Sequence, residues 1–295
     1  MTTGAVEAAW GSNSCAALGP ADRDELTAVS HRYHDAHGLF IKLIGWAGEK
    51  AESAIQQLPA GRQDRIGEAS HAALKTAYAA ALYSQPDGDA DGLWHRATRW
   101  SHGERWHLAA TAASGAIGGL GGIATALADL PVATTLILRS VQQIAAEHGE
   151  DVADPQVRAQ CLAVFAMGGP LPEDDAGPAG LWATRLALTG KTVAEMLVAV
   201  APRFGVTVSQ KALAQATPLI GAAVGAAVNP LFTRYYQQMA HVHFRLRRIE
   251  RRHDPDQVRS CLEQIVAALR AVDAEAVARM ATRRTRGSSR DRSSN

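Results

Sequence analysis

The first residues in this sequence whose types and spacing can do chemistry are carboxylate–imidazole pairs one helical turn apart. Glu68-x-x-His71 and Glu104-x-x-His107 each set a carboxylate and an imidazole at i and i+3, the spacing by which helical bundles hold paired metal ions. Two such pairs in a chain with 11 histidines exceed chance only slightly, so no metal centre and no cofactor are expected. His31, His34 and His37 share one helical face and read as a polar surface stripe, while His241 and His243 fall on different faces of their helix. Asp87-x-Asp89-x-Asp91-Gly92 repeats the first half of a calcium loop. The twelfth position is Thr98 instead of a bidentate Glu, which leaves a solvated acidic turn. No G-x-S-x-G elbow, Cys/His nucleophile pattern or H-E-x-x-H occurs, so no catalytic set is read.

Whatever chemistry there is must be positioned by elements that composition constrains. With 295 residues, 47% of them hydrophobic and 20% charged, collagen-like and wholly disordered classes are excluded. Lys+Arg of 30 against Asp+Glu of 29 gives a net charge of +1, so no nucleic-acid partner is expected. Cys15, Cys161 and Cys261 lie far apart without a CxxC pair, which reads as a reducing, cytoplasmic setting without structural zinc. The first 20 residues have neither a basic n-region nor an apolar h-region, so no export signal is read.

No window alternates with period 2, and helical spacing recurs throughout. The fold class expected is all-α, a multi-helix bundle with two Gly/Ala-rich central segments. Those segments, His107–Ala128 and Ala212–Thr233, carry no charge over 22 residues each. The first holds eight Ala and five Gly against five Leu or Ile, too little apolar bulk for a simple membrane span. Gly115, Gly118, Gly119 and Gly122 in the first, and Gly221 and Gly225 in the second, form small-xxx-small pairs that allow close helix packing or shallow membrane insertion. A phosphate loop is excluded because no GK[ST] follows. Basic residues flank both segments: Arg96, Arg99 and Arg105 before the first, and Arg245, Arg247, Arg248, Arg251 and Arg252 after the second, where they are candidates for lipid head groups.

Four regions are expected: a flexible N-terminus over 1–20, a helical domain over 21–252, an amphipathic C-terminal helix over 253–282, and a disordered Arg/Ser tail over 283–295. Pro131 reads as the first residue of a helix that Gly149 ends, with Val132, Leu136, Val141, Ile144 and Ala145 on its apolar side. Asp154-Pro155 and Asp254-Pro255 read as helix starts. The second opens a stripe of Val258, Cys261, Leu262, Ile265, Leu269, Val272, Ala276 and Met280.

Two blocks carry a resemblance. Gly118-Gly119-Leu120-Gly121-Gly122 with Asp129-Leu130-Pro131, Leu138-Arg139, Ile144 and His148-Gly149-Glu150-Asp151 is similar to the EcsC family. So is Thr217 to Asn229, followed by Ala240, Phe244, Arg248 and Glu250. The resemblance covers roughly residues 35–252 and departs from the family pattern at His148, where Tyr is usual, and at Pro230, where a kink or break is expected. It implies a helical domain linked by its name to transporter and secretion physiology, and no catalytic residues.

The leading expectation is a non-catalytic helical domain at the cytoplasmic face of the cell membrane, with an anionic membrane surface or a membrane protein as partner. Asp129, Arg139 and Asn229 are its candidate binding or gating cluster. The rival is a soluble hydrolase-type enzyme using Asp129, Glu147 or His148 as acid or base. In the bland reading Asp129 caps a helix and Asn229 satisfies the backbone freed by Pro230.

Overall fold

The computed structural model describes residues 2–55, 68, 71–80, 103–119, 123–167, 178–214 and 220–291. Every regular element among them is helical: α1 (Thr2–Trp10), α2 (Asn13–Ala16), α3 (Pro20–Ile55), α4 (Glu104–Gly119), α5 (Ile123–Glu147), α6 (Pro155–Ala163) with a 3-10 turn (Val164–Ala166), α7 (Pro178–Leu188), α8 (Val193–Ala214), α9 (Ile220–Glu250) and α10 (Pro255–Asp291). Residues 71–80 are helical as well. The acidic turn at 87–92 lies outside the described residues. The chain forms two compact units, one of residues 1–35 with 245–295 and one of residues 36–244, in place of the single 21–252 domain expected.

The terminal unit corrects three expectations. The N-terminus is not loose: α1 and α2 pack on α10, Val6, Cys15 and Leu18 are buried, and Trp10 Nε1 donates to Thr27 Oγ1 at 3.1 Å. Cys15 and Cys261 are joined in a disulfide with Cα atoms 4.9 Å apart, so the cysteine spacing no longer argues for a reducing compartment. The C-terminal segment continues as helix to Asp291. Arg is a good helix former, and extending a helix that is already nucleated costs little per residue. Val258, Cys261, Leu262, Ile265 and Leu269 of the expected stripe are buried, whereas Val272 and Ala276 are only partly covered. Asp254 caps α10 by accepting from the amides of Asp256 (2.8 Å) and Gln257 (3.1 Å), with Pro255 as first residue.

The larger unit is built around α9. Tyr236, Phe165 and Phe204 form its aromatic centre, with ring centroids 4.9 Å apart for Phe165–Tyr236 and 5.2 Å for Phe165–Phe204. Burying each such ring contributes about 1.5–3 kcal/mol. Tyr235 places its hydroxyl on the Met167 carbonyl at 3.0 Å, which ties the 3-10 turn to α9. Asp154 caps α6 through the amide of Gln156 at 2.8 Å, and Gly149, at φ +80°, ends α5 as expected.

Pro131 is expected to open a helix, and Pro230 to kink or break one. Pro131 lies inside α5 and Pro230 inside α9, both helices continuing through. Each proline removes one backbone donor, and the burial of the surrounding helix outweighs that local loss. Val132, expected on the apolar side of α5, is exposed, while Val141, Ile144 and Ala145 are buried. α7 and α8 are separated by a turn at Thr189-Gly190, with Gly190 at φ +73°.

α8 begins with a reciprocal cap. Glu195 Oε2 accepts from the amide and the hydroxyl of Thr192 (both 2.8 Å), and Thr192 Oγ1 accepts from the amide of Glu195 at 3.4 Å. The Thr192 amide holds the Glu195 carboxyl below the ordinary carboxylate range, helped by the Thr192 hydroxyl. A carboxyl depressed on folding stabilises above its unfolded pKa and stops doing so as pH falls through the folded one. We therefore expect Glu195→Gln to melt below wild type at pH 7, and the difference to vanish as pH falls through the lowered pKa of Glu195.

Candidate functional site

The polar interior of the larger unit follows one stripe of α9. Asn229, Thr233, Gln237 and His241 recur every four residues, each step rising about 6 Å along a single face. All four are more than 90% buried, so each needs a partner from a neighbouring helix. The partners come from α4 and α5, which pack against each other antiparallel, since Ser114 meets Asp129 near one end and Gly103 meets Gln143 near the other.

At one end, Asn229 Nδ2 donates to Asp129 Oδ2 at 3.0 Å, and Ser114 Oγ donates to the other oxygen of that carboxylate. One turn on, Thr233 Oγ1 donates to Thr111 Oγ1 at 3.0 Å, which itself donates to the His107 carbonyl at 2.8 Å. Gln237 Nε2 then reaches both Ser140 Oγ (2.8 Å) and the Glu104 carbonyl (3.1 Å). That carbonyl can only accept, so the amide orientation is fixed and Gln237 Oε1 is buried without a hydrogen-bond partner.

The seam ends at a convergence of ionisable groups. His241 Nε2 lies 2.8 Å from Glu104 Oε1, and His241 Nδ1 lies 2.9 Å from His148 Nε2. Glu147, exposed at the end of α5, completes a set in which one ligand atom each of Glu104, Glu147 and His241 lies within 4.8 Å of the others. Gln143 Nε2 donates to Glu147 Oε1 at 3.2 Å. His241 is only 7% exposed, whereas the Glu104 side chain is 37% exposed, so the cluster is buried on the imidazole side and open on the carboxylate side.

Of the cluster expected from sequence, the fold joins Asp129 to Asn229 and separates Arg139. Arg139 lies ten residues further along α5, a rise of about 15 Å. Burial lowers its guanidinium pKa from the ordinary value. Asp129 therefore holds α9 instead of capping a helix start, and Asn229 serves Asp129 instead of the backbone near Pro230. Asp129 and Glu147 are 18 residues apart on one continuous helix, a rise of about 27 Å, so these two share no site, whereas Glu147 and His148 both lie beside His241. Gly115 is buried on α4, Gly118 and Gly119 also belong to α4, Gly221 and Gly225 belong to α9, and Gly122 lies outside the described residues.

In the terminal unit, Arg252 pairs with Asp22 at 2.7 Å, Arg248 pairs with Glu25, and His253 meets Asp22 at 2.7 Å. Arg251 is exposed, and Arg245 and Arg247 are half-buried. His34 lies 3.4 Å from Asp273. Glu68 and His71 are both exposed. His241 and His243 do face opposite ways: His243 Nδ1 accepts from Arg185 Nε at 3.2 Å, and its Nε2 meets Gln160 Oε1 at 3.0 Å.

Sequence reasoning paired Glu104 with His107, its neighbour in sequence, and so missed Glu104 with His241 and Glu147. The four-residue spacing of Asn229, Thr233, Gln237 and His241 was the available signal. Among the described residues, no helix is long and apolar enough to cross a membrane. The model of one family, the EcsC protein family, matches residues 47–249. No curated protein and no solved structure matches the chain.

Proposed function

This chain belongs to the EcsC protein family, and from that premise we propose that it is a non-catalytic helical domain working peripherally at the face of a cell membrane. The observation that carries this reading is the start of α4. Arg105 and Trp106 are adjacent and exposed there, with 48% of Trp106 open to solvent, just ahead of the Gly-rich stretch. Indole rings favour the boundary between head groups and acyl chains, and each nearby Arg adds about 1 kcal/mol of attraction to an anionic surface. Arg248 and Arg252, expected at the head groups, are engaged by Glu25 and Asp22. A membrane protein, in keeping with the family's link to transporter and secretion physiology, is the partner this reading implies.

Quenching by brominated lipid tests the contact. Anionic vesicles with brominated chains are expected to quench the intrinsic fluorescence of the wild type and to quench Trp106→Phe distinctly less. Equal quenching in both, or none in either, removes Trp106 as the contact. The side of the membrane is read from the Cys15–Cys261 pair after rapid alkylation in cells. An intact bridge places the domain in an oxidising compartment, and two alkylated thiols place it at the cytoplasmic face.

A further inference from the structure

We propose that Glu104, Glu147 and His241 bind a single divalent transition-metal ion, with His148 orienting His241. The ligand atoms come from three helices and already lie within 4.8 Å of one another, so an ion at their centre needs only small side-chain adjustments. One imidazole and two carboxylates make a borderline donor set that suits Zn²⁺ or Mn²⁺ better than Ca²⁺, which takes oxygen ligands alone.

The imidazole is arranged as a ligand requires. With no ion bound, the Glu104 carboxylate can only accept, so His241 Nε2–H donates to Oε1 at 2.8 Å, and in a neutral ring Nδ1 then accepts from His148 Nε2–H at 2.9 Å. An ion between Nε2 and Glu104 takes the place of that proton. His241 then carries its hydrogen on Nδ1 and donates it to His148 Nε2, whose own hydrogen moves to its other nitrogen. The pair thus changes tautomer without a net change of charge. An imidazole held from behind through its second nitrogen is the usual outer support of a metal-bound histidine.

An independent feature points the same way. Gln237 is one turn before His241, is 1% exposed, and is fixed to the Glu104 carbonyl through Nε2. Its Oε1 is buried without a hydrogen-bond partner. By holding the Glu104 carbonyl, Gln237 fixes the backbone of one of the three ligand residues. The exposed Glu147 gives the ion a route in from solvent.

The test is calorimetric titration of the full chain, stripped with chelator, with Zn²⁺ and with Mn²⁺. We expect one equivalent of at least one ion to bind with a dissociation constant of about 10 µM or tighter. Glu147→Gln, at an exposed position, should keep the wild-type circular dichroism and weaken binding by about tenfold or more, and His148→Phe should weaken it by about tenfold. His241→Ala should abolish it. If His241→Ala fails to fold, Glu147→Gln decides alone. No binding at one equivalent, or unchanged binding in folded Glu147→Gln, overturns the proposal.

Discussion

Replacing Cys15 and Cys261 together by Ala is expected to lower stability by about 5 kcal/mol, because the bridge closes a loop with a sequence separation of 246 residues. Cross-linking so distant a pair removes a large share of the freedom of the unfolded chain, and that freedom grows with the logarithm of loop length. Both sulfurs are fully buried, so the variant also loses packing between α2 and α10. Thermal melts with and without a thiol reductant check this. Wild type should fall on reduction by about 10 °C or more, and the double variant should not respond. A wild type insensitive to reductant would show that the terminal unit is held by its apolar contacts and ion pairs alone.

Gln237→Leu is expected to cost about 2–4 kcal/mol although it keeps the side-chain volume. Leu leaves the Ser140 hydroxyl and the Glu104 carbonyl facing an apolar group inside the protein, each losing the donor that Gln237 supplies. Ser140→Ala alone should cost less, since Gln237 Nε2 retains the Glu104 carbonyl. In the double variant the Ser140 acceptor that Gln237→Leu strands is gone, so the effects should fall short of additivity by about 1 kcal/mol. Urea unfolding of the four proteins measures the coupling. Strict additivity would mean that Gln237 and Ser140 do not act as a unit.

Local chemistry was legible in the sequence wherever a short segment decides its own conformation. Periodicity gave the all-helical class, Asp154-Pro155 and Asp254-Pro255 marked helix starts, and Gly149 marked an end, because caps depend on two or three adjacent residues. The prolines misled for the complementary reason. Pro131 and Pro230 are punctuation in an isolated peptide, but each is followed by a buried turn, at Ala133 and Thr134 or at Phe232 and Thr233, and that packing carries the helix through. The Arg/Ser tail looked structureless because it lacks apolar residues, yet α10 extends into it.

Long-range pairing was not legible. Nothing near Cys15 or Cys261 announces the other, and nothing near Trp10 announces Thr27. The seam was legible by half. Asn229, Thr233, Gln237 and His241 display their spacing openly, as do Glu104, His107, Thr111 and Ser114 on α4. What spacing alone cannot give is that these faces meet. Glu104 was therefore assigned to the histidine one turn away when its partner is 137 residues on.

Peripheral association with a membrane face is read by flotation with liposomes. Purified full-length protein is mixed with neutral or anionic vesicles at low and at high salt and spun through a density step. The protein is expected to float with anionic vesicles at low salt, to lose most of that at high salt and not to float with neutral vesicles, because attraction to exposed arginines is screened within about 10 Å at 0.1 M salt. Failure to float with any vesicle would contradict it, and salt-resistant flotation would replace surface attachment with insertion.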